Sequence, residues 1–146
     1  MGAALLLLAG CAGQPATTAA PAAALAPGMA RVWFLRQADP TAGNIYAAAP
    51  LVYINREPFV QIRQGTALFH DFPPGRYRLS AQAFGTPASQ HDTVQLAPGT
   101  EIYVQVEAVA NWELGSTLGG YSFAVLPMSA DVAKQYLPTL AQLGAR

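Results

Sequence analysis

Tyr77-Arg78-Leu79-Ser80-Ala81-Gln82-Ala83-Phe84 decides the fold class of this chain. Side chains alternate sides along a strand, so Tyr77, Leu79, Ala81 and Ala83 share one face, with Arg76, Arg78, Ser80 and Gln82 on the other. One face is apolar and one is polar, which is the pattern of an antiparallel sheet wetted on a single side.

Working outward, Ala67-Leu68-Phe69 reads as a partner strand, joined to the first by Asp71-Phe72-Pro73-Pro74-Gly75. Downstream, Thr93 to Leu96 and Glu101 to Val109 read as a hairpin around Ala97-Pro98-Gly99-Thr100, where Pro followed by Gly suits a type II turn. The second of these strands puts Ile102, Val104, Val106 and Ala108 inward, with Glu101, Tyr103, Gln105 and Glu107 outward. Upstream, Leu51 to Ile54 and Phe59 to Ile62 flank Asn55-Arg56-Glu57-Pro58 as another hairpin, with Pro58 at a strand entrance. Val32-Trp33-Phe34-Leu35 is apolar without alternation and predicts a strand covered on both faces. Tyr121 to Leu126 is read as the last strand, after a glycine-rich connection.

Short strands at near-regular spacing predict an all-β chain, a single antiparallel sandwich of about seven strands. Ser129 is placed to cap a short C-terminal helix with Asp131 in its first turn. On that helix Val132, Ala133, Tyr136, Leu137 and Leu140 form the apolar face, and Pro138 kinks or ends it. The helix is expected to lie against the sheet or over an edge strand.

Composition narrows the partners. The 146 residues carry eight Lys+Arg against eight Asp+Glu, so there is no net field to gather nucleic acid or an anionic surface. Hydrophobic residues make up 52%, but 29 of the residues are alanine, many of them outside the strand-forming region. The single cysteine, Cys11, excludes an internal disulfide framework.

Ala3 to Ala9 is an apolar run too short to span a membrane and suited to the core of a secretory signal. The positive flank of such a signal is missing, so the true start is expected upstream or the leader trimmed. Leu8-Ala9-Gly10-Cys11 resembles the bacterial lipobox, at which cysteine is acylated and the leader removed. Myristoylation fits worse, since Leu6 stands where its motif needs Ser or Thr. Several acyl chains on Cys11 would anchor durably, because each buried methylene contributes about 0.8 kcal/mol. By the same resemblance, Ala12 directs the protein to the outer membrane, facing the periplasm, in a Gram-negative cell. Residues 12 to 30 hold nine alanines, with prolines at 15, 21 and 27 and no charge, and are expected to form an unstructured tether. The expected organisation is therefore a leader over 1–10, a lipidated cysteine and tether over 11–29, and a sandwich with its helix over 30–146.

Four segments carry a wider resemblance: Ala30-Arg31-Val32-Trp33-Phe34-Leu35-Arg36, Val52-Tyr53-Ile54-Asn55, Asp71-Phe72-Pro73-Pro74-Gly75-Arg76-Tyr77, and Leu96-Ala97-Pro98-Gly99-Thr100-Glu101-Ile102-Tyr103-Val104. In order and spacing they are similar to an uncharacterised family of bacterial lipoproteins with a domain of unknown function. The resemblance covers about residues 30 to 128 and implies no known catalytic activity. The proline-glycine turns are also similar to those of transthyretin-like sandwiches, so a transthyretin-like (prealbumin-like) sandwich is the expected architecture. Ile102-Tyr103 departs from the double aromatic usual in the family.

Candidate chemistry is sparse. His70-Asp71 and His91-Asp92 contain metal-ligand types, but neighbours on an extended chain point to opposite faces, so neither pair converges without a turn. Asp71 is read first as a turn residue. Ser116 lies outside any nucleophile motif, Gly115 to Gly120 lacks a phosphate-loop lysine, and Glu101 and Glu107 are about 20 Å apart along a strand at ~3.3 Å per residue. No enzyme activity, metal or cofactor is expected. Arg76 and Arg78 share a wet face, with Arg56 and Arg63 read as near neighbours, and serve solubility or contact to an anionic envelope component such as peptidoglycan. Trp112, in a loop, is the aromatic best suited to meet a partner. The reading is a lipid-anchored envelope protein with a binding or structural role and no nucleic-acid partner. The alternatives are a metal-dependent or other enzymatic module on the two His-Asp pairs, or a carrier of a small apolar ligand.

Overall fold

The computed structural model describes residues 23–38, 48–84, 90–111, 113 and 120–144. These form nine strands: β1 (Ala30–Arg36), β2 (Leu51–Ile54), β3 (Glu57–Gln61), β4 (Thr66–Phe72), β5 (Gly75–Ala81), β6 (Asp92–Leu96), β7 (Glu101–Ala110), β8 (Tyr121–Met128) and β9 (Ala141–Gly144). Between β8 and β9 lie helix α1 (Ala130–Tyr136) and a single 3-10 turn, Leu137–Thr139. One sheet has the order β8-β7-β1-β4-β9 and the other β3-β2-β5-β6.

The two sheets enclose the main core. Val32 and Phe34 of β1, Val104 and Val106 of β7 and Phe123 of β8 meet Val52, Leu79 and Leu96 of the opposite sheet. Every residue of β1 is buried, as its unbroken apolar run predicts, because a second core lies behind it. There Trp33, Leu35, Ala67 and Tyr103 pack under Ala133 and Leu140. Helix α1 thus covers the outer face of the five-stranded sheet. Ser129 caps it as expected, its side chain accepting from the Val132 amide at 3.4 Å, and the helix gives way to the 3-10 turn containing Pro138. Val132, expected on the buried face, is 40% exposed. A helix of seven residues has room for little more than one inward position, and Ala133 takes it.

Two expected strand pairs are corrected. β4 and β5 do not pair with each other: β4 lies in the five-stranded sheet and β5 in the four-stranded one. The link between them is Pro73-Pro74. A two-residue hairpin needs positive φ in its turn, whereas proline is fixed near −65°, so the chain crosses between layers instead. β6 and β7 are separated in the same way. The type II geometry of Ala97-Pro98-Gly99-Thr100 is present, with Gly99 at φ +73° and the Thr100 amide donating to the Ala97 carbonyl at 3.2 Å. Type I and II turns splay their flanking strands against the natural twist, so this turn also carries the chain from sheet to sheet. Asn55-Arg56, by contrast, has φ of +52° and +74°, the type I′ pattern that matches strand twist, and β2 and β3 do form a hairpin.

The strand read as last, Tyr121 to Leu126, extends to Met128 and is followed by β9, which was not expected. β9 runs parallel to β4, placing Ala141 beside Thr66 and Gly144 beside Phe69. β1 sits at the centre of its sheet, antiparallel to β4 and parallel to β7.

Residues 23–29, assigned by composition to the tether, lie against the sandwich at the head of β1. Arg31 grips them: its guanidinium donates to the carbonyls of Ala23 at 2.6 Å and Ala24 at 3.4 Å. It also holds Asp71 in a two-point ion pair, at 2.6 and 2.9 Å, and lies 4.1 Å from the centre of the Phe69 ring. The Asp71 carboxylate in turn accepts from the Ala26 amide at 3.4 Å. The strap is thus held through its backbone by Arg31 and Asp71, with Leu25 and Met29 half-buried along it.

Candidate functional site

Helix α1 packs on the outer side of the five-stranded sheet and the strap lies at the head of β1, whereas among the described residues no element covers the outer face of the other sheet. Its polar row is set by pairing: Tyr53 of β2 lies opposite Ser80 of β5, and Arg78 opposite Thr93 of β6. A hollow of about 400 Å³ opens beside this row, lined by Tyr53, Arg56, Arg78, Ser80, Ala81, Ala83 and Gln90. That volume falls within the roughly 300–1,000 Å³ of small-molecule sites.

Turn geometry brings the two arginines to the same hollow. The Asn55 amide donates to the Arg78 carbonyl at 2.8 Å, and the Arg78 amide donates to the Asn55 side-chain oxygen at 2.9 Å. The β2–β3 turn is thereby clipped to β5 beside Arg78, and the next residue in the turn is Arg56. A type I′ turn strongly favours glycine at this second position, because a side chain in the left-handed region costs about 1–2 kcal/mol. Arg56 occupies it at φ +74°. Arg56→Gly is therefore expected to raise stability by about 1 kcal/mol, read as a higher urea midpoint, because it relieves backbone strain at an exposed position.

The residues singled out in the sequence fall as follows. Arg78 walls the hollow, and Arg76 stands two residues along the same face of β5, outside it. Cys11 and Trp112 lie outside the described residues. His70 is on the inner side of β4, edge-on to the rings of Phe59 and Phe72 at 5.3 and 4.7 Å. Asp71 points to the opposite face, where Arg31 holds its carboxyl below the ordinary carboxylate range. His91 lines a separate hollow with Glu107 and Glu113, beside β8. Asp92 accepts from the Thr93 amide at 2.6 Å. Among the described residues, no three of His, Cys, Asp and Glu gather as metal ligands. The space between the sheets is filled by side chains such as Phe34 and Phe123.

Two further polar groupings serve the fold. Glu101 accepts from the Trp33 indole at 3.2 Å and the Tyr103 hydroxyl at 3.1 Å, and burial with that carboxylate pushes the Tyr103 phenol up to about 12. Buried Arg36 donates to the carbonyls of Ala48 and Ile62 and lies over the Phe123 ring at 4.9 Å, with burial lowering its affinity for the proton.

Tyr53, Ser80 and Gln90 had not been singled out in the sequence, and Arg56 entered only as a neighbour. The one local signal was Asn-Arg where a two-residue turn favours Asn-Gly. Set against protein-family models and against curated proteins, the chain matches none.

Proposed function

We propose that this chain is a lipid-anchored protein of the bacterial cell envelope, attached through Cys11, facing the periplasm and acting by binding rather than catalysis. The observation that carries the binding role is the inequality of the two sheets. One has α1 packed on its outer face, while no described element covers the other, which presents Arg76 and, at a hollow, Arg56 and Arg78. An anionic envelope component, with peptidoglycan the first candidate, suits that surface. The Leu8-Ala9-Gly10-Cys11 run supports the anchor.

A transthyretin-like sandwich is the finer reading of the fold. The strand orders β8-β7-β1-β4 and β3-β2-β5-β6, with β1 and β7 parallel, support it. So does the similarity to the uncharacterised lipoprotein family, which points to the same compartment.

Two experiments test the proposal. Expressed in a Gram-negative host fed radioactive palmitate, the wild-type chain is expected to take up label and sediment with outer membranes, and Cys11→Ala to do neither. Equal labelling of the two would remove the anchor. A photo-crosslinking residue at position 76 is expected to capture envelope material, whereas one at exposed position 132, on α1 over the other sheet, captures none. The opposite outcome would move the binding surface to the other side.

A further inference from the structure

We infer that the hollow beside the β2–β3 turn is a binding site for an anionic saccharide, a sugar ring carrying a carboxylate or phosphate, with Arg56 and Arg78 on the acid and Tyr53 and Ser80 on the ring. This rests on the reading that the bare sheet is the binding face, and it names what that face takes.

The chemistry of the wall selects the ligand. Two arginines, Arg56 and Arg78, line one hollow. Arginine matches planar carboxylate and tetrahedral phosphate with paired donors, so an acid group is the first requirement. A bare ion would leave most of the 400 Å³ empty. The remaining lining offers an aromatic ring, a hydroxyl and an amide, a mixture suited to a ring with one apolar face and hydroxyls on its rim. Tyr53 and Ser80 face each other across the β2–β5 ladder, so a rigid sheet sets their spacing.

Backbone strain supplies an independent reason. Arg56 sits at a turn position that glycine would fill with less cost, and Asn55 ties that turn to the backbone of Arg78. Arginine at this position contributes nothing to the turn, so what it adds is its guanidinium, delivered to the same hollow as the second arginine. Strained residues at ligand clamps are a recurrent feature of binding sites.

The test is a titration of the full chain, followed by NMR, with D-glucuronate, D-glucose 6-phosphate, D-glucose and inorganic phosphate. Binding of one or both acidic sugars is expected, at least tenfold tighter than D-glucose or inorganic phosphate, with shifts centred on Tyr53 and Ser80. The tighter of the two acids identifies a carboxylate or a phosphate as the native group. Arg56→Gly is expected to weaken acidic-sugar binding at least tenfold while its denaturation midpoint rises, which separates lost binding from lost folding. Unchanged affinity in Arg56→Gly, or equal affinity for acidic and neutral sugars, would overturn the proposal. So would inorganic phosphate binding as well as D-glucose 6-phosphate. A chain that crosslinks through position 76 yet binds none of the four probes loses the saccharide assignment and keeps the binding face. One that binds the acidic sugars but crosslinks from position 132 keeps the saccharide site and loses the face as the partner surface.

Discussion

Arg31→Ala is expected to lower the free energy of unfolding by about 3 kcal/mol, the lower end for breaking a buried ion pair, since Asp71 retains some contact with water. The guanidinium is 3% exposed and Asp71 21%. Removing it leaves the Asp71 carboxylate beside Phe69 without its cation and releases the carbonyls of Ala23 and Ala24. Urea denaturation reads the loss. Limited proteolysis reads the second consequence, since a strap released from Arg31 becomes cleavable near residues 23–26 under native conditions.

The same pair sets an acid limit. The Arg31 hydrogen bond is the largest influence on Asp71 and lowers its proton affinity in the folded state. The unfolded chain, with an aspartate near its ordinary value of about 3.9, then binds more protons than the folded one in that range, so stability rises with pH there. The contribution of the pair is complete above the unfolded value and disappears as pH falls through the lower folded value. Wild type is expected to lose stability below about pH 4 more steeply than Asp71→Asn, which has no carboxyl to protonate there. Parallel acid slopes in the two proteins would show that the pair does not set the limit.

Ala133→Asp is expected to be the most damaging single change on the helix, at about 3 kcal/mol or more, because a carboxylate cannot be buried without a partner. Ala133 is fully buried between α1 and the sheet, in one cluster with Trp33, Leu35 and Tyr103. Asp there forces the helix off, and Trp33, one of two tryptophans, becomes wet. A red shift of tryptophan emission should accompany the drop in urea midpoint. The comparison is Val132→Asp, one residue away and 40% exposed, where an effect within about 0.5 kcal/mol is expected. Equal losses at 132 and 133 would refute the assigned face of the helix.

Where strands lie was legible because alternation is local: Tyr77, Leu79 and Ala81 declare their face without reference to the rest of the chain. Which strands pair was less legible. Both mistaken hairpins came from treating a turn as a hairpin signal without asking its handedness. Pro73-Pro74 and Ala97-Pro98-Gly99-Thr100 carry turns whose twist opposes a hairpin, and that could have been read. β9 had no local signal: Ala141-Gln142-Leu143-Gly144 holds no β-branched residue, and its pairing depends on where α1 and the 3-10 turn deliver it beside β4. Val132 was misplaced because helical periodicity names a wide stripe, while a seven-residue helix buries only part of it. For the hollow, Arg78 could be seen on a wet face, but its meeting with Arg56 depends on hydrogen bonds from Asn55 across 23 positions of sequence.

The placement of β1 bears on when the protein can fold. This wholly buried strand is satisfied by distant partners: Arg31 pairs with Asp71 on one side and with Glu101, 70 residues on, on the other. Such long separations delay formation, because loop-closure entropy is lost before the contacts form. A partial chain ending before β7 has no neighbour for one entire edge of its central strand and no closed core. Folding is therefore held back until nearly all the sequence is available. On the proposal that the chain is exported, that delay would keep it extended for passage across a membrane.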